Sequence, residues 1–125
     1  MTLEQFYLNI EGDYNDVFLR LGSDDRIKKY IKLFFNSGDI EGLDKAIKEN
    51  DANSAFEFAH KLKGNSLNIG FYKFSRIAEE LVEPLRPRVI NEPARIMSLH
   101  ENVKYEYDYA KSFASMIDWY NSFAM

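Results

Sequence analysis

Apolar residues recur along this chain at spacings of three and four, and the alternation expected of strands is nearly absent. The pattern predicts helices from end to end. The TLEQ sequence at Thr2 has the form of a capping box and opens a short helix over residues 2–9. A second segment over residues 13–21 stops at Gly22, and a third over residues 24–36 carries Ile27, Ile31, Phe34 and Phe35 on one stripe. Residues 39–49 present Ile40, Leu43, Ala46 and Ile47, and after the polar NDANS break a helix runs to about Ile69 and stops at Gly70. The next covers residues 71–86, with Phe74, Ile77, Ala78, Leu81 and Leu85 inward and Pro84 disturbing or ending its last turn. A final helix starts near Asn91, has Pro93 in its first turn, and is expected to reach the C-terminus over a length of about 50 Å. Several amphipathic helices with short links predict an all-α fold: an antiparallel up-and-down four-helix bundle with short N-terminal capping helices.

Composition narrows what such a bundle can do. The chain has 125 residues, 46% hydrophobic and 29% charged, which suits one soluble globular domain over residues 1–125. No apolar run approaches a membrane span, and no basic-then-apolar leader opens the chain. With no Cys, disulfides, thiol nucleophiles and Cys-ligated zinc are excluded together, and a cytoplasmic location is expected. A net charge of −4 argues against a nucleic-acid partner. The aromatic residues Phe34, Phe35, Phe113, Trp119, Tyr120 and Phe123 have no basic stripe beside them, so they are expected to fill the core or the bundle ends. Imidazole chemistry falls on His60 or His100, the only two histidines.

His60 has the informative setting. On a helical wheel of about 100° per residue, Ala55, Phe58, Leu62, Ser66 and Ile69 gather on the side opposite His60 and form the core face. His60 therefore points outward, with Phe56, Leu67, Gly64, Lys63 and, farther round, Glu57 on its own side. Phe56 and Leu67 are expected to be exposed beside it or to pack under the N-terminal helices. Gly64 asks for a reason, since glycine inside a helix costs about 1 kcal/mol relative to Ala. Without a side chain at i+4, another protein's active site can close over the ring, and Lys63 at i+3 can offset negative charge on the imidazole.

The string AHKLKGNSLNIG at residues 59–70 closely resembles the signature of histidine-containing phosphotransfer (HPt) domains, roughly A-H-x-L-K-G-x-[SA]-x-x-[ILF]-G, through His60, Leu62, Lys63, Gly64, Ser66, Ile69 and Gly70. More loosely, residues 12–34 look like the lead-in of bacterial stand-alone HPt modules, and RIAEELVE at residues 76–83 resembles the family's next helix. The resemblance implies that His60 accepts a phosphoryl group from a receiver-domain aspartate and passes it to a second receiver. It implies Lys63 for charge stabilisation, Gly64 for access, and Phe56, Glu57, Lys61 and Leu67 as partner-binding residues. The implied partners are receiver domains of response regulators, with a hybrid histidine kinase as a further candidate. No cofactor is implied for this chain, the Mg²⁺ belonging to the receiver. One departure stands out: in the chemotaxis-kinase branch a glutamate on the following helix bonds the second ring nitrogen. Here Val82 occupies that place, with Glu79 or Glu83 able to substitute only after a shift. That favours a relay shuttle over a module wired to one kinase.

Neutral imidazole, with an ordinary pKa near 6.5, offers a nucleophilic nitrogen at neutral pH. The chain contains no phosphate-binding glycine loop, so a phosphocarrier rather than a free-standing enzyme is expected. Competing readings are weaker. Glu57-x-x-His60 spells one half of a ferritin-like di-metal site, but Met97 stands where the second motif needs a carboxylate before His100. A hydrolase lacks a nucleophile, since Ser66 falls on the core side, and no metal is expected. An HPt-like adaptor that binds receivers without phosphorylation remains the alternative. His100 is expected at the surface or half-buried.

Overall fold

Four of the seven helices start where a side-chain oxygen accepts from a free amide. Thr2 Oγ1 accepts from the amide of Gln5 at 3.1 Å while Gln5 Oε1 accepts from the amide of Thr2, which completes the capping box of α1 (Leu3–Asn9). Asp13 caps α2 (Tyr14–Leu21) and Ser23 caps α3 (Asp24–Phe35). Gly38, with φ +80°, leads into α4 (Asp39–Lys48) without a side-chain cap, and Asp51 caps α5 (Ala52–Asn68). Then come α6 (Tyr72–Leu85) and α7 (Pro93–Ala114). The computed structural model describes residues 1–120, and those residues form these seven helices and no strand.

α6 ends at Leu85, next to the expected bound near Arg86, with Pro84 inside its last turn. The end of the last helix differs from expectation. α7 does not run to the C-terminus but stops at Ala114, so its 22 residues span about 33 Å rather than 50 Å. The chain then turns, Ile117 is buried, the Asp118 amide donates to the Met1 carbonyl at 2.8 Å, and Lys28 Nζ donates to the Asp118 carbonyl at 2.7 Å.

α4 packs on α5, α5 on α6, α6 on α7, and α7 returns to α4, so four helices enclose one core. α4 and α5 come close at Gly42, where a Cβ would lie 2.5 Å from the Phe58 ring. Phe58 is therefore partly buried against α4 rather than deep in the core. The aromatic residues gather at the end of the bundle where α5 turns into α6. There Phe71 meets Phe6, Tyr7, Phe34 and Phe35 edge-on or tilted, and Tyr107 of α7 packs on Phe34, Phe35 and Phe74. Tyr7 donates to the Ile69 carbonyl at 2.7 Å and Tyr107 to the Phe35 carbonyl at 3.0 Å. The N-terminal helices thus cap this end.

The remaining aromatic residues expected in the core or at the bundle ends are covered to different degrees. Phe113 and Trp119 are partly buried, Tyr120 is 80% exposed, and Phe123 lies outside the described residues. No helix among the described residues is long and apolar enough to cross a membrane.

Candidate functional site

α5 is built to show one imidazole. Ala55, Leu62, Ser66 and Ile69 are buried on its inner side, as their spacing predicts, with Ala59 buried as well, and His60 is exposed on the outer side. Ser66 donates to the Lys63 carbonyl at 2.8 Å, and Ser75 of α6 donates to the same oxygen at 3.2 Å. The Ser75 hydroxyl ties the turn of α5 that follows His60 to α6, while the Ser66 bond stays within α5. One turn past the ring, a Cβ added at Gly64 would have nothing within 4 Å, so the backbone there is bare and borders open space. Leu67 is 46% exposed on the same side, and Lys61 is exposed with its Nζ 5.8 Å from the Phe58 ring.

Phe56 is not exposed. Its ring is buried beside His60, with the two rings nearly parallel at 8° and their centroids 5.6 Å apart. The cover comes from Arg88, in the loop between α6 and α7, whose guanidinium carbon sits 4.2 Å from the Phe56 centroid. Arg88 also pairs with Glu57 at 2.9 Å and hydrogen-bonds Asn53, so a single side chain holds one face of the first half of α5. Sequence alone did not point to Arg88. It lies in a loop with no periodicity, next to Pro87, and its φ of +62° is unusual for a residue with a Cβ.

Lys63 is not a free charge. Its Nζ lies 3.3 Å from Glu79 on α6, whose other oxygen takes Arg86 at 3.2 Å, and Arg86 Nε reaches Glu83 at 2.9 Å. Burial pushes the Glu79 carboxyl up, but hydrogen bonds involving Glu83, Lys63 and Arg86 outweigh it and hold the group below its ordinary value. Glu79 and Glu83 therefore spend their carboxylates on Lys63 and Arg86. Val82 is fully buried in the core. None of the three bonds the second nitrogen of His60, whose ordered neighbour is an aromatic ring.

His100 is more buried than expected, at 8% exposure, because α7 packs it toward α4 with Nε2 3.4 Å from Asp44. Desolvation lowers its pKa, against the pull of the Asp44 carboxylate. It shares no site with His60. Glu57, the other half of the Glu-x-x-His motif, is turned to Arg88, and the described residues hold no cluster of three or more potential metal ligands.

A comparison with protein families matches residues 33–104 to the model described as Hpt domain. That stretch begins in the last turn of α3, includes α4, α5 and α6 whole, and ends midway along α7. It contains His60 and every residue gathered around it. The loose likeness of residues 12–34 to a family lead-in falls outside the match except for Leu33 and Phe34. Curated proteins and solved structures give no match. With its family match spanning more than half its length, this all-helical chain belongs to the Hpt domain family, the phosphotransfer modules of phosphorelays.

Proposed function

We propose that this chain is a histidine phosphocarrier, its four principal helices running up and down in antiparallel order, and that His60 carries the phosphoryl group in the cytoplasm. One ring nitrogen, Nε2, attacks phosphorus in the acyl phosphate of a receiver-domain aspartate. The N–P bond forms, the bond from phosphorus to the aspartyl oxygen breaks, and the carboxylate leaves with the electron pair. In the second half a carboxylate of another receiver attacks the phosphoramidate and the neutral imidazole is restored. Such transfers depend on in-line placement and charge neutralisation more than on covalent help. The receiver brings the Mg²⁺ and most of the catalytic groups; this chain brings the nucleophile, access to it and a docking surface. It neither makes nor hydrolyses a nucleotide.

The observation that carries the proposal is an exposed imidazole one turn from bare backbone at Gly64, on a helix otherwise packed on its inner side. Lys63, already anchored by Glu79, gives positive charge a fixed place on the turn that follows His60. Leu67, Lys61 and the Glu57–Arg88 pair are the groups a docked receiver would meet.

The test is incubation with phosphorylated receiver domains, comparing the wild type with His60→Gln. Acid-labile, alkali-stable label on the wild type alone supports the relay. Equal labelling of both removes His60 from it. Receiver binding without label on either identifies an adaptor instead.

A further inference from the structure

A surface imidazole without a hydrogen bond to hold it has several orientations. In a helix one of the three χ1 wells clashes with the preceding turn and χ2 is two-fold, which leaves about four orientations. In-line attack by Nε2 uses one of them. Related modules can fix the ring through a carboxylate, but Val82 is apolar and buried, and Glu79 and Glu83 are committed elsewhere. A fixed ring needs another group to hold it.

We propose that Phe56 and Arg88 form a stacking clamp that sets the orientation of the His60 imidazole for phosphoryl transfer, Arg88 acting as a positioning residue through Phe56. The inference rests on His60 being the phosphoryl acceptor. Helical side chains lean toward the N-terminus, so the residue under His60 is the one at i−4, which is Phe56. Its ring lies almost parallel to the imidazole at 8°, and a centroid separation of 5.6 Å makes this an offset stack. A phenyl ring on a helix surface would itself change rotamer, but Phe56 is only 9% exposed. The ring belongs to the hydrophobic core, and Arg88 adds a cover, with the guanidinium carbon 4.2 Å from the ring centroid.

Arg88 is anchored in turn at three points. Glu57 takes it at 2.9 Å and Asn53 accepts a further hydrogen bond, both from α5 itself, while the Arg88 amide donates to the Leu85 carbonyl at 2.9 Å. A backbone φ of +62° is costly for a residue with a Cβ, and Gly or Asn would suit it better. An arginine in that conformation lays its long side chain down on α5, where no glycine could.

The test reads the ring directly and the transfer separately. In NMR spectra of the wild type, the His60 Hδ2 and Hε1 resonances are expected to be displaced by the Phe56 ring current, with couplings that report one χ1 rotamer. In Phe56→Leu the displacement is lost, rotamers average, and the initial rate of transfer from a phosphorylated receiver falls about 4-fold, the share lost when one orientation becomes four. Phe56→Tyr restores ring order and rate. Arg88→Gln, which keeps a planar end without the charge, is expected to loosen both His60 readouts while α5 stays helical by circular dichroism. The proposal is overturned if Phe56→Leu or Arg88→Gln leaves the His60 rotamer unchanged, or if the ring loosens and the transfer rate does not move. If the ring is ordered as described but His60 takes no label in the wild type, the phosphocarrier reading fails while the clamp stands as a structural feature.

Discussion

Gly64 lets stability and function be driven in opposite directions by one position. It lies in the interior of α5, where glycine costs about 1 kcal/mol relative to alanine through the conformational freedom it must lose. A Cβ there would meet nothing within 4 Å, so Gly64→Ala recovers that free energy without a clash. Unfolding entropy of about 2.1 cal/mol/K per residue gives on the order of 0.26 kcal/mol/K for a chain of this length, so a gain of about 1 kcal/mol raises Tm by about 4 °C. Gly64→Gln should keep most of the gain, since glutamine is a good helix former. Its longer side chain, however, would stand over the backbone next to His60 and obstruct a receiver. The expected result is a higher Tm by circular dichroism for both variants, with transfer from a phosphorylated receiver much reduced in Gly64→Gln and less so in Gly64→Ala. Two results would refute this reasoning: a fall in Tm for Gly64→Ala, meaning the space is not free, or unchanged transfer in Gly64→Gln, meaning access past this position is not needed.

Three further outcomes follow from the packing. Gly70 has φ +76°, and a Cβ there would lie 2.1 Å from Val17 Cγ2, so Gly70→Ala should lose about 2–4 kcal/mol from a left-handed backbone plus overpacking, read as a lower urea midpoint. Tyr7→Phe leaves the buried Ile69 carbonyl without its donor and should lose about 1–3 kcal/mol in the same assay, with little effect on far-UV circular dichroism. His100 has a folded-state pKa below its unfolded value, so the unfolded chain binds the extra proton first. Its contribution is complete above about pH 6.5 and is lost as the pH falls through that value toward the folded-state pKa. His100→Gln should therefore flatten the loss of stability between about pH 7 and pH 5 in urea titrations. Asp44, the carboxylate facing it, is held below its ordinary range chiefly by its hydrogen bond with Lys48, and so titrates below that window.

The local signals in this chain were strong because each is a matter of neighbours in sequence. The Thr2 capping box, the Asp13 and Asp51 caps, the stops at Gly22 and Gly70, and the inner stripe of α5 all follow from hydrogen-bonding capacity and a period near 3.6 residues. The outward direction of His60 and the openness at Gly64 belong to the same class, since a helix fixes angular position once its inner stripe is known. The family signature added the chemistry to that geometry.

Tertiary structure decided what depends on groups distant in sequence. The spacing of Phe56 placed it on the side of His60 and suggested exposure. Only a loop arginine from 32 positions later, in a backbone conformation that composition does not announce, puts a cover on it. Lys63 looked like a free cation until α6 brought Glu79 to it, and His100 looked superficial until α7 turned it toward Asp44. α7 carried apolar residues spaced to continue, yet it stops at Ala114, Ile117 is buried past the stop, and the Asp118 amide meets the Met1 carbonyl. Periodicity states which face of a helix is apolar. What lies opposite that face, and which charge finds which partner, is fixed only when the helices pack.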